Sequence, residues 1–165
     1  SSCEKDDSVT PNPVEYGNSY LIIGNWNVDS STVNLMFSQE WINLIEYLST
    51  FMSPEEFEED MGFPMPSSPY ELDALAANGI VQDGELTGTV SITSSTFTIT
   101  DIDDVTELEY QLVDNTIIQV IDPEEEFQNF TINEVSETNL VLTSSFIEEE
   151  EEMNMEAIFT IYLSK

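Results

Sequence analysis

The run Glu107-Leu-Glu-Tyr-Gln-Leu-Val113, Asp114-Asn115, Thr116-Ile-Ile-Gln-Val-Ile121 decides the fold. In its first arm Leu108, Tyr110 and Leu112 alternate with Glu107, Glu109 and Gln111, the two-residue period of a strand with one face buried. Only two residues separate this arm from the second apolar run. Both are of types that tolerate the positive φ of a two-residue hairpin turn. The segment therefore reads as an antiparallel β-hairpin.

The same pattern recurs on either side. Thr87–Thr93 and Thr96–Thr100 flank Ser94-Ser95, and Phe127–Val135 and Asn139–Ile147 enclose Ser136-Glu137-Thr138. A last strand places Met153, Met155, Ala157, Phe159, Ile161 and Leu163 on one face. With a strand beginning over Tyr20–Trp26, the count reaches eight. Short strands joined by tight turns in a near-unbroken meander predict a mainly β fold, an eight-stranded antiparallel up-and-down barrel, with a two-sheet sandwich as the alternative.

Residues 38–79 break the pattern. Trp41, Leu44, Ile45, Leu48 and Met52 fall at helical spacing behind Ser38. Ser53-Pro54-Glu55-Glu56 and Ser68-Pro69-Tyr70-Glu71 each combine a cap residue, a proline at the first helical position and a glutamate three residues after the cap. Gly62 and Asn78-Gly79 are the matching stops. A helical insertion of two or three helices is expected between strands one and two.

Composition narrows the chemistry. The 165 residues hold 34 Asp and Glu against two Lys, with no Arg and no His, for a formal net charge of −32. Phosphate recognition needs cations, so nucleic acid is excluded as a partner. Without imidazole there is no Ser-His or Cys-His hydrolase, and one Cys with no His cannot build a zinc site of such ligands. The acidic run Glu148–Glu152 reads as a solvated loop, and Asp101-Ile-Asp103-Asp104 is only a fragment of a calcium loop. A glycosidase needs two isolated carboxylates, and the sequence singles out no pair. No catalytic residue, cofactor or metal site is expected, and the chain reads as a non-enzyme.

The beginning of the sequence points to an anchor. Ser1-Ser2-Cys3 resembles the end of a bacterial lipobox, in which the Cys is acylated, and Lys5-Asp6-Asp7 resembles the export signal of Bacteroidetes-type lipoproteins. A signal peptide is expected upstream. The resemblance implies that Cys3 is the lipid anchor, that Lys5, Asp6 and Asp7 direct export, and that the protein is held on the outer membrane by acyl chains. It would be exposed at the cell surface or, alternatively, face the periplasm. Residues 1–19 then form a disordered tether before a domain over 20–165, its Asp6–Asn18 stretch spanning at most about 43 Å.

Gly24-Asn25-Trp26 at the end of the first predicted strand, followed by seven more strands, resembles the lipocalin-like or calycin families. That resemblance implies a barrel with room for one modest apolar ligand and a long first connection over the open mouth. In the family an Arg from late in the barrel commonly packs over the Trp. This chain has none, and Lys165 is the one residue able to take its place.

The inward-facing apolar residues are the candidate ligand contacts: Phe97, Ile99, Tyr110, Leu112, Phe130, Ile132, Leu140, Leu142, Phe159 and Ile161, with Trp41 and Phe51 on the insertion. Core packing accounts for most such positions in a small barrel. The expected function is binding or carriage of a small apolar molecule by a membrane-anchored lipoprotein. The alternative is a β-sandwich interaction module that binds carbohydrate or another envelope protein through exposed aromatics such as Trp41, Tyr47 and Tyr70.

Overall fold

A computed structural model describes residues 20–121, 129–150 and 153–165. In chain order the elements are β1 (Gly24–Phe37), α1 (Gln39–Leu48), α2 (Pro54–Met61), α3 (Pro69–Asn78), β2 (Ile80–Asp83), β3 (Thr89–Ile92), β4 (Thr96–Thr100), β5 (Val105–Val113), β6 (Ile117–Val120), β7 (Phe130–Val135), β8 (Asn139–Glu150) and β9 (Met153–Ser164). The strands hydrogen-bond in the order β9-β8-β7-β6-β5-β4-β3-β1-β2, and β9 also pairs with β1. That last pairing closes β1 and β3–β9 into an antiparallel eight-stranded barrel, with β2 as a further strand on β1. The expected barrel is present and the two-sheet sandwich is not.

The hairpin of residues 107–121 forms as its turn chemistry requires. Asp114 and Asn115 take φ of 51° and 59°, and Tyr110 faces Val120 while Leu112 faces Ile118 across the ladder. In the β3–β4 turn, the Thr93 hydroxyl accepts from the backbone N–H groups of both Ser95 and Thr96. β7 slips register against β8 between Ile132 and Glu134, a local bulge.

The chain divides into two compact units. Among the described residues, the first comprises those within 20–32, 83–144 and 159–165, and the second those within 33–82 and 145–158. In the first, alternate strand residues build one buried cluster containing Trp26, Val90, Phe97, Leu108, Phe130, Leu142 and Ile161. Phe97 and Phe130 stack at 5.0 Å. In the second, Ile42, Ile45, Phe57, Phe63 and Leu75 form a separate buried cluster, joined by half-buried Phe37 and Ile80 from the strands.

The three helices begin as the sequence indicates. Ser38, Ser53 and Ser68 each accept a backbone N–H from three residues on, and Pro54 and Pro69 open α2 and α3. Gly62 ends α2 at φ 82°, in the left-handed region. The apolar stripe of α1 buries Ile42 and Ile45, while Phe51, beyond the helix end, is exposed.

Several boundaries differ from expectation, among them β8, which runs to Glu150 through the first residues of the acidic run expected as a loop. Tyr20 and Leu21 are helical, and β1 starts at Gly24 rather than Tyr20. The Trp26 indole donates to the Ile22 carbonyl, a bond between residues four apart that an extended chain would not bring together. β1 then runs to Phe37, well beyond Trp26, although Asp29-Ser30-Ser31-Thr32 breaks the alternation. Trp26 is buried and Val28 packs on the barrel core, Asp29 and Ser30 are both exposed, and Ser31 is buried again. Two outward residues in succession shift the phase by one, so Ser31, Val33, Leu35 and Phe37 share one face. Finally, Ile80–Asp83 forms a strand that the sequence reading left out. The predicted start of the β7 strand at Phe127, and the residues Glu151 and Glu152 of the acidic run, lie outside the described residues.

Candidate functional site

The barrel's Trp26 end joins Gly24 and Trp26, two positions apart, to Lys165 at the far side of the sequence. Lys165 Nζ stands 4.4 Å from the centre of the Trp26 ring and donates to the Ile23 carbonyl at 3.3 Å. An ammonium over an indole face is held by the ring's negative quadrupole. Gly24 makes this possible. Its φ is 143°, and a Cβ there would lie 3.0 Å from both Cε and Nζ of Lys165. The Gly-x-Trp spacing thus has a mechanical reason: the first residue leaves a path along which a cation reaches the third.

The lysine backbone also takes part, because its N–H donates to the Thr138 carbonyl in the β7–β8 turn. A cleft of about 370 Å³ opens beside it, lined by Tyr20, Leu21, Ile23, Glu137 and Lys165. An ammonium and a carboxylate on its walls make it a poor place for an apolar molecule.

Within the first unit, the predicted ligand contacts Phe97, Tyr110, Phe130 and Leu142 all belong to the buried cluster, as do Ile99, Ile132, Leu140 and Ile161. Leu112 and Phe159 are half-buried against it. Tyr110 donates its hydroxyl to the Thr93 carbonyl at 2.6 Å, and burial pushes its phenol above the ordinary value. Its polar tip is thereby satisfied by the fold itself.

The insertion residues part company. Trp41 is half-buried, edge-on to Phe37 with centroids 6.1 Å apart. Phe51 is 63% exposed and meets Tyr47, 64% exposed, edge-on at 5.2 Å. Tyr70 is 86% exposed. Cys3, Lys5, Asp6, Asp7 and the tether lie outside the described residues.

Asp101, in the fragment resembling a calcium loop, spends its carboxylate locally. It accepts from the Thr87 hydroxyl at 2.7 Å and the Ile102 N–H at 2.8 Å, and these bonds hold its pKa below the usual value. Among the described residues no three of His, Cys, Asp and Glu converge on a metal position, and no helix is long and apolar enough to cross a membrane.

Compared with known protein families, curated proteins and solved structures, the chain matches none of them.

Proposed function

We propose that the chain is a membrane-anchored lipoprotein whose lipocalin-like barrel binds or carries a small apolar molecule and catalyses no reaction. The observation that carries this reading is the Gly24, Trp26 and Lys165 constellation on a closed eight-stranded barrel. It supports the lipocalin-like assignment because the residue spacing and the cation over the ring are the features that the sequence resemblance implied. The anchor, through acylated Cys3 at the outer membrane, rests on the sequence pattern at residues 1–7.

The direct test is native mass spectrometry of the protein purified from its host envelope, compared with the same sample denatured. A discrete extra mass that leaves on unfolding supports carriage and identifies the ligand class. A bare mass that persists after incubation with host lipid extract defeats it. For the anchor, metabolic labelling with an alkyne-tagged fatty acid should mark the wild type and leave Cys3→Ser unlabelled.

A second reading is favoured by the exposed Tyr47–Phe51 pair and by exposed Tyr70. Aromatics in water on the helical unit suit contact with a carbohydrate or another envelope protein. Loss of such binding in Tyr47→Ala and Tyr70→Ala, with ligand carriage intact, would move the function to the helices.

A further inference from the structure

Within the second unit, one sheet face carries apolar side chains that neither buried cluster claims. Along β9 the buried residues Ala157, Ile161 and Leu163 define one face, and Met153 and Met155 extend it. Along β8 the corresponding face runs Leu140, Leu142, Ser144, all buried, and then Phe146. β1, after its phase shift at Asp29-Ser30, contributes Val33 and Leu35. β9 lies between β8 and β1 in the sheet, so these five residues form one wall. All five are half-buried, and among the described residues none packs against either cluster.

The chemistry of the wall and its border limits what would cover it. Val, Leu, Phe and two Met present no hydrogen-bonding group beyond a weak thioether acceptor, so the contacting part of a ligand is apolar. The unbranched Met side chains adapt to more than one shape. Two residues beyond Phe146, on the same face of β8, stands exposed Glu148, which begins the run Glu148–Glu152. Among the described residues the one lysine, Lys165, falls outside this unit. Among the described residues of this unit a carboxylate head would therefore meet like charge and no cation, whereas an ammonium head would find an acceptor at the end of the wall.

We infer that Val33, Leu35, Phe146, Met153 and Met155 are the ligand-contacting wall, and that the ligand is an apolar chain ending in a cationic head that pairs with Glu148. This rests on the carrier reading above and sharpens it. It places the ligand on the outer stretches of β1, β8 and β9, rather than on the packed aromatics Phe97 and Phe130.

The test uses the full chain with dodecylamine, dodecanol and dodecanoate as probes, with binding followed by native mass spectrometry and by titration at high salt to suppress non-specific attraction. Dodecylamine should bind about tenfold or more tighter than dodecanoate. Glu148→Gln should shrink that preference by about threefold, and Glu59→Gln, with the same change in net charge on exposed α2, should leave it unaltered. Met155→Gln should weaken all probes, with the unfolding midpoint measured in parallel.

Equal binding of amine and carboxylate, or equal effects of Glu148→Gln and Glu59→Gln, would overturn the inference while leaving the carrier reading in place. Undiminished binding to a folded Met155→Gln would overturn the location of the wall. If none of the probes binds any form, the inference fails, and the carrier reading is decided separately by the host-lipid comparison above.

Discussion

The barrel core and the helical cluster solve the same problem by opposite means. Around Trp26, Phe97 and Phe130 the interior is assembled from residues that alternate along all eight barrel strands, and each strand gains its place only through its neighbours. Around Ile45, Phe57 and Phe63 the helices are specified locally, each start marked by its own serine cap and two of them by proline at the first position. The contrast separates long-range from short-range specification. Damage to the barrel should spread through a shared core, whereas damage to the helices should stay within a few turns.

The largest test of that contrast is Phe97→Ala, which removes a fully buried ring stacked on Phe130. It should cost about 3–5 kcal/mol, read by urea unfolding through Trp26 fluorescence in a Trp41→Phe background. Phe57→Ala, equally buried but in the helical cluster, should cost about 3 kcal/mol. It should appear mainly in the helical circular dichroism and leave the Trp26 midpoint nearly unmoved. Equal movement of both signals would show one cooperative block and dissolve the comparison.

Ser38→Ala probes a residue that serves both kinds of structure. Its hydroxyl accepts from Trp41 N–H at the start of α1 and from Asn154 N–H on β9, and its loss should cost about 1–2 kcal/mol by thermal melting. Smaller still, Lys165→Met keeps much of the side-chain length and removes the cation over Trp26. It should cost about 0.5–1 kcal/mol and shift the Trp26 emission. An unchanged spectrum would deny the contact.

The finest test is acid titration at Glu71, an exposed residue. Its carboxylate accepts from the hydroxyl and N–H of Ser67, which hold its pKa below 4.5. A carboxyl depressed on folding contributes stability that is complete above its unfolded pKa and fades as pH falls through the folded value. Glu71→Gln should therefore flatten the acid limb of the helical melting curve below about pH 4.5 and leave the limb near neutrality alone.

Much of this was legible because local chemistry and tertiary structure agree. Asp114-Asn115, Ser53-Pro54 and Ser68-Pro69 state their roles within two to four residues, and the structure puts a turn and two helix starts there. β1 was only half legible, since the shift at Asp29-Ser30 erases the two-residue period that marks a strand. β2 escaped notice because Ile80-Val-Gln-Asp83 is too short to show a period, and its identity comes from pairing with β1. The face carrying Met153 and Met155 was readable along β9, but its separation from both cores was not. Burial depends on what the rest of the chain places nearby, and strand alternation carries no record of that.

The pairing of β1 with β9 also bears on how the molecule is made. Ser38 and Asn154, bonded to each other, are separated by 116 positions, and Asp29 and Ser164 by 135. Ring closure thus has a large loop entropy to overcome, and closures of that kind are slow. Until it happens, β1 and β9 are open edges on which a second molecule could build a sheet. The net charge of −32 acts in that interval as well as afterwards, because two unfinished copies repel each other before either edge finds the wrong partner.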